Sequence, residues 1–347
     1  MSKPKPRPKP KQKLAKPVDP TIGKLLAESP YVIEDGVTQS ILSGWAHCRR
    51  ACRYSLDGWT TAGTKDSLVY GSLYHWLLEK LFQGVMAGKY TRADVDAFFL
   101  SHTEKWMSKE KLDPTLTAHD LQAREVCIAQ AEATFAEYCD QWADDFVPGR
   151  WVEVEGVFDV DFRGFKLRGR MDGLQRRGRR RKYLCLVEHK TMAQISEASL
   201  ALRLAFDFQN IFYITAANAK LEAAGSTERV HTVCYDVIRR PTHKYNPDKE
   251  TPASYSNRVR AHVVKEPDHF FKRTEITYTK KDLVDGANAI EEKLTLFRDW
   301  TLGFSPTYRN EQACIGKWNC IWLAACAAGG DMSEYVRTGK LFTELED

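Results

Sequence analysis

Phe165-Lys166-Leu167-Arg168-Gly169-Arg170-Met171-Asp172-Gly173-Leu174 is followed, across Gln175–Lys182, by Tyr183-Leu184-Cys185-Leu186-Val187-Glu188-His189-Lys190. Both stretches are rich in strand-forming residues, and the connection between them holds six basic residues in eight positions, which predicts a turn and makes the two strands neighbours. Side chains two apart on a strand share a face, so Leu184, Leu186, Glu188 and Lys190 line one face that is apolar until it turns abruptly ionic. Asp172, read as the end of the first of these strands, can face Glu188 across the pair. Two acids and a lysine at the end of a buried face cost several kcal/mol per unpaired ion. A hard divalent cation is the natural compensation, because it takes carboxylate oxygens and keeps waters for a phosphate. An isolated Asp and Glu-x-Lys also suits a plain salt-bridged pair on an exposed strand.

Working outward, Trp151–Phe162 alternates Val152, Val154, Phe158, Val160 and Phe162 with polar partners, and Arg163-Gly164 turns it into the strand beginning at Phe165. Upstream, apolar residues at helical spacing predict helices over Leu68–Met86, Thr91–Lys109 and Thr117–Asp145. Downstream the reading is one helix over Ser196–Ala224, a strand at Arg229–Arg240, a loop over Pro241–Pro252, a short helix and strand (Phe270–Tyr278), and a helix over Lys280–Thr301. Helices, an antiparallel meander, a helix and another strand imply an α/β fold: a mixed sheet flanked by helices.

The chain has 347 residues, 43% hydrophobic and 28% charged, which excludes wholesale disorder. The apolar run near Cys320–Ala328 is too short for a membrane span, and no secretory h-region opens the chain. The net charge of +5 is uneven: residues 1–20 hold seven Lys or Arg against Asp19, a charge of +6, so the rest sums to −1. Six of the fourteen prolines also lie there. Residues 1–29 are therefore expected to be a basic, extended tail, either merely solvated or an electrostatic arm for an anionic polymer.

Two further pairs stand near the carboxylates. Gly71-Ser72-Leu73-Tyr74-His75 places an imidazole on a helix with Glu79 one turn later, and Gln209 and Tyr213 are four apart on the helix after Lys190. In order, Gly71…His75, Gly169-Arg170-Met171-Asp172, Glu188-His189-Lys190 and Gln209-Asn210-Ile211-Phe212-Tyr213 resemble the RecB-like branch of the PD-(D/E)XK nuclease superfamily, with its G-x-x-x-H, G-x-x-D, (D/E)-x-K and Q-x-x-x-Y motifs. The resemblance implies a restriction-endonuclease-like core near residues 150–240 within one domain over 30–347. It implies Mg²⁺ or Mn²⁺ held by His75, Asp172, Glu188 and the backbone carbonyl of His189, with Lys190 acting on the attacking water and Gln209 and Tyr213 positioning the strand or the lysine. The implied activity is hydrolysis of DNA, single-stranded or with ends, by an exonuclease of recombination or repair, with a recombination or annealing protein as partner. The rival from another class is a non-catalytic DNA-binding scaffold, which normally lacks an acid or the lysine. The basic turn Arg176–Lys182 is expected beside the metal-binding edge.

Nine cysteines without an export signal point to a reducing compartment, where clustered thiols more often mean metal than disulfide, and the resemblance implies the cytoplasm of a bacterial or phage-infected cell. Cys127, Cys139, Cys185 and Cys234 sit singly on apolar stretches and read as core thiols. Many RecB-like nucleases bind an iron–sulfur cluster through one cysteine before the His motif and three near the C-terminus. The resemblance implies Cys48, with Cys52 as understudy, and Cys314, Cys320 and Cys326 as ligands of a [4Fe–4S] cluster that closes the fold. Here the C-x5-C-x5-C spacing is longer than the family's usual one, and Arg49 replaces the usual proline. Zinc is the alternative, although its sites usually pair ligands at C-x2–4-C.

Overall fold

Arg163 and Gly164 both have positive φ, 50° and 84°, the geometry of a two-residue hairpin turn whose twist matches its strands. The computed structural model describes residues 31–61, 66–114, 116–180, 182–194, 204–315, 320–338, 341–342 and 345. In chain order the main elements are α1 (Gln39–His47), α2 (Arg49–Leu56), β1 (Trp59–Thr61), α3 (Asp66–Met86), α4 (Val95–Glu110), α5 (Ala118–Gln141), β2 (Trp151–Phe162), β3 (Phe165–Arg177), β4 (Tyr183–Met192), α6 (Phe208–Ala223), β5 (Val230–Arg239), α7 (Pro252–Lys265), β6 (Phe271–Thr277), α8 (Lys280–Thr301) and β7 (Tyr335–Arg337). The basic tail over 1–29 lies outside the described residues.

Five strands form one sheet in the order β2-β3-β4-β5-β6, with β4 and β5 parallel and the other neighbours antiparallel. The expected α/β mixed sheet is present. Leu184–Val187 on β4 and Thr232–Ile238 on β5 are buried residue after residue, as central strands covered on both faces must be. The α5 helix starts at a capping box: Thr117 takes the backbone N–H of Asp120, whose carboxylate takes that of Thr117. It packs with α3 through buried rings, Tyr74 lying 5.6 Å from Phe135 and 6.1 Å from Tyr138. Among the described residues no helix is long and apolar enough to cross a membrane.

The chain divides into two compact units. One comprises residues 36–39, 62–290 and 342–347 and holds the five-stranded sheet; the other comprises 1–35, 40–61 and 291–341. In the second, β1 pairs antiparallel with β7, and Phe297 packs edge-on to Tyr31 at 6.0 Å and Trp45 at 5.8 Å.

Three sequence readings are corrected. Asp172 lies inside β3 rather than at its end, because the strand continues to Arg177. It continues because the arginines find partners: Arg176 pairs with Glu228, and the buried Arg177 donates to Gln175 at 2.8 Å and to Glu275. The basic turn is therefore confined to 178–182. Its first residue lies six residues from Asp172, about 20 Å along the strand and away from the acidic cluster, not beside it. Finally, the single helix expected over Ser196–Ala224 is interrupted at Phe206-Asp207, since Asp207 caps α6 by accepting the Gln209 N–H at 2.9 Å and also takes the Tyr235 hydroxyl at 2.6 Å; positions 195–203 lie outside the described residues.

Candidate active site and cysteine cluster

Two glycines set the backbone of the site. A Cβ on Gly71 would stand 2.9 Å from Thr191 Oγ1, so α3 approaches β4 closely one turn before His75. A Cβ on Gly169 would meet the ring of its cross-strand partner Phe158 at 2.4 Å, so the glycine three residues before Asp172 makes room for that ring. These contacts give a physical reason for the G-x-x-x-H and G-x-x-D spacings. His75 Nδ1 then lies 3.8 Å from Asp172 Oδ2, and the same oxygen accepts the backbone N–H of His189 at 2.7 Å.

Glu188 is buried on β4. Its Oε1 accepts from Lys190 Nζ and from Gln209 Nε2 at 2.7 Å, and Lys190 Nζ also donates to Gln209 Oε1 at 3.2 Å. Glu188 Oε2 is buried without a hydrogen-bond partner. Burial and the nearby Asp172 charge push the Glu188 carboxyl up to about 7. Burial alone would lower the Lys190 amine, but the charge and hydrogen bond of Glu188 outweigh it and raise the amine above its ordinary value, so it stays cationic. Burial lowers the His75 imidazole despite Asp172, leaving it neutral and able to ligate.

The structure adds Glu155. Ligand atoms of His75, Glu155 and Asp172 lie within 4.8 Å of one another, while Arg170 Nε holds Glu155 Oε2 at 3.0 Å. Glu155 has φ +50°, and its ladder neighbours Val154↔Gly173 and Gly156↔Met171 bracket Asp172. Burial and Asp172 push its carboxyl up to about 8. The sequence signal that could have found it is Gly156, since glycine inside a strand pattern often marks irregular backbone. The carboxylates of Asp172 and Glu155 with the His75 imidazole fit a hard divalent cation; Glu188 lies outside that 4.8 Å set, and its orphaned buried oxygen is the further donor nearby.

The other expected site residues fall as follows. Gln209 bridges Glu188 and Lys190, whereas Tyr213 one turn later sets its ring edge-on to Phe158 at 6.0 Å. Glu79 bonds to Lys80 at 2.6 Å and Gln83 at 3.2 Å rather than pairing with His75. Behind the site, His189 Nδ1 lies 3.0 Å from the buried Asp236 Oδ2, which also takes the Tyr138 hydroxyl and Arg273 Nη2 at 2.9 Å. Burial opposes ionisation of Asp236, but Arg273 and His189 override it and hold the carboxyl well below its usual range. An acid inside the apolar run Val230–Ile238 was the signal for this network.

In the other unit, Cys48 sits at the residue preceding α2 and its Sγ accepts the Asn310 N–H at 3.4 Å. The Cys314 thiol lies 3.4 Å from the Asn310 carbonyl, the Cys320 N–H donates to the Cys314 carbonyl at 3.1 Å, and Cys326 Sγ lies 4.0 Å from the Tyr54 hydroxyl. The Cys320 thiol is pushed up first by burial and then by Cys48, Cys314 and Cys326, so these four are electrostatic neighbours. The Cys52 thiol, pushed up to about 12 by burial, points instead at the Ile41 carbonyl at 3.8 Å. Cys127, Cys139, Cys185 and Cys234 are buried. Four soft donors with an N–H already aimed at one sulfur suit a thiolate-bound metal group.

No curated protein matches this sequence. Among solved structures it is similar to a protein named "putative exonuclease" from Eubacterium rectale, at 13% identity over 84% of this chain and 88% of that chain, with a TM-score of 0.43. It is also similar to SSO0001, at 14% identity over 57% of this chain and 85% of that chain, with a TM-score of 0.24. The family profile described as the PD-(D/E)XK nuclease superfamily matches residues 37–327, a span that includes His75, Asp172, Glu188, Lys190 and Gln209. The chain belongs to the PD-(D/E)XK nuclease superfamily, and membership implies a phosphodiester hydrolase acting on nucleic acid.

Proposed function

We propose that this chain is a Mg²⁺- or Mn²⁺-dependent deoxyribonuclease of the RecB-like type that degrades DNA from its ends in recombination or repair. The observation that carries this reading is the buried, unpartnered Glu188 Oε2 beside a cluster that already contains Asp172, His75 and a charged lysine. A structural salt bridge does not need such an atom, whereas a cation site does.

His75, Asp172 and Glu188 would hold the cation, with Glu155 as a further carboxylate. When bound, the cation supplies Lewis-acid polarisation of the phosphate and acidifies a water. Lys190, cationic beside Glu188, orients the attacking water and offsets negative charge developing on the phosphate. Gln209 bonds to both Glu188 and Lys190 and keeps the carboxylate and the ammonium in register, while Tyr213 on the same helix helps position the strand. Cys48, Cys314, Cys320 and Cys326 would carry a [4Fe–4S] cluster in preference to zinc, since they lack the short C-x2–4-C pairing of most zinc sites.

The test is incubation of the purified protein with end-labelled linear and circular single-stranded DNA in Mg²⁺ or Mn²⁺. Loss of linear DNA with survival of circles is expected. Cutting of circles would overturn the exonuclease reading, and no cleavage of either would overturn the nuclease reading.

A further inference from the structure

We infer that the cavity beside Arg240 is a subsite for one unstacked nucleotide of a single-stranded DNA substrate; this rests on the nuclease reading above and deepens it. The cavity has a volume of about 240 Å³ and lies among the N-terminal half of α5 (His119, Gln122, Val126), the residue just after β5 (Arg240) and the loop beyond it (Tyr245, Pro247). Ligand pockets for drug-sized molecules run to ~300–1,000 Å³, so this one suits a single base or sugar-phosphate unit. No carboxylate lines it.

Arg240 is held in a manner that leaves its outer edge for a ligand. Its Nε donates to Gln130 Oε1 at 3.1 Å, and its guanidinium carbon lies 5.5 Å from the centre of the Tyr70 ring. Gln130 is itself fixed, donating from Nε2 to the Pro241 carbonyl and the Tyr255 hydroxyl, both at 3.1 Å. Among the described residues no carboxylate pairs with Arg240. A guanidinium with Nε committed still presents two terminal nitrogens in the fork that matches a phosphate. Tyr245 is braced from behind by Tyr255, ring centres 5.4 Å apart at 73°, and lines the cavity as a pre-set surface for a base. Base–aromatic stacking of this kind tolerates any sequence.

Position ties the cavity to the catalytic strand. The Arg240 N–H donates to the Met192 carbonyl at 2.8 Å, two residues beyond Lys190 on β4 or about 7 Å along the strand. Tyr70 precedes His75 by five residues on α3, about 7.5 Å along the helix. Both elements that carry site residues therefore run directly to the cavity, within reach of a nucleotide flanking the scissile phosphate. A base enters a cavity of this size only when unpaired and out of its stack, which selects a single strand over duplex.

Anisotropy titrations with labelled oligo-dT in EDTA test this without cleavage. Arg240→Ala and Tyr245→Ala should each weaken binding of a long oligomer roughly tenfold, Tyr245→Phe should bind as wild type, and Arg240→Ala should also lower the log–log salt slope by ~0.7. Hydrolysis of a small activated phosphodiester by the same proteins separates the two readings. Wild-type hydrolysis with unchanged oligomer binding in the variants overturns the subsite alone. No hydrolysis by wild type overturns the nuclease reading instead. Should Arg240→Ala fail to fold, the contrast between Tyr245→Ala and Tyr245→Phe decides.

Discussion

Replacing Arg273 by methionine should expose how much the buried ion network beneath the site contributes. Arg273 Nη2 donates to Asp145 Oδ2 at 2.6 Å and Asp236 Oδ2 at 2.9 Å, Nη1 reaches Asp145 Oδ1 at 3.2 Å, and the guanidinium lies 4.2 Å from the Trp142 ring centre. Both carboxylates are fully buried. Methionine keeps most of the apolar stem, so the change isolates the charge. Leaving a buried partner uncompensated costs ~3–5 kcal/mol. Asp236 would retain Tyr138 and His189, and Asp145 would retain Gln175 at 3.0 Å and Arg150 at 3.9 Å, which places the loss near the lower end, about 3 kcal/mol. That is a large share of a typical ~5–15 kcal/mol total.

The pH dependence carries the sign. With Arg273 present, Asp236 titrates below its unfolded value, so its contribution is complete above the ordinary carboxylate range and lost only as pH falls below it. Without the guanidinium the largest influence holding the carboxyl down is gone, and burial pushes it upward. Only His189 and Tyr138 then oppose burial, so the variant's deficit should narrow between about pH 7 and about pH 5. Urea unfolding at both pH values measures the gap from midpoint and slope. A loss within ~0.5 kcal/mol, the range of ordinary surface substitutions, would refute the reasoning. So would a gap of equal size at both pH values.

Lys190→Ala should fold normally and bind Mn²⁺ by paramagnetic resonance, yet lose at least ~10²-fold in cleavage rate, whereas Asp172→Ala and Glu188→Ala should lose the metal as well; wild-type cleavage by Lys190→Ala would sink the assignment. Glu155→Gln should weaken Mn²⁺ binding about tenfold. Because the Glu155 carboxyl is pushed up to about 8, metal-free wild type should lose thermal stability relative to this variant as pH rises from the ordinary carboxylate range to about 8, and parallel melting curves across that window would count against its burial. Anaerobically purified protein should be brown, with iron and sulfide in comparable amounts; Cys48→Ser should bleach it and Cys52→Ser should not, while colourless protein carrying stoichiometric zinc would decide for zinc.

Much of the sheet was legible because local chemistry and the global fold agree. Arg163-Gly164 can form a tight hairpin, so the β2 boundaries Trp151 and Phe162 follow from the pattern, and the register beyond it is constrained. Asp172, Glu188 and Lys190 were legible for the same reason, since the ladder Gly173↔Val187 leads to the Asp172 and Glu188 positions. What stayed hidden depends on tertiary partners. Arg176 and Arg177 read as turn residues until Glu228 and Glu275, dozens of residues away, make strand positions affordable for them. Asp207 looks like a residue within a helix until the Tyr235 hydroxyl and the Gln209 N–H claim its carboxylate.

Glu155 was hidden for a different reason, which also bears on why the site is supported as it is. Its positive φ and its place beside Asp172 are a conjunction of backbone irregularity and register that no spacing rule encodes. With it, three carboxylates gather where the sequence shows two. Arg170 meets Glu155 and Lys190 meets Glu188, yet burial and the remaining repulsion from Asp172 still push their carboxyls up to about 8 and about 7. Such a site opposes its own folding, so the strands that carry it need support from elsewhere. The Asp145–Arg273–Asp236 network supplies it from directly behind, through His189, whose side chain bonds Asp236 and whose N–H bonds Asp172. One residue thus links the rigid interior to the strained site. The variable position of the Glu-x-Lys motif is, in this chain, the joint between them.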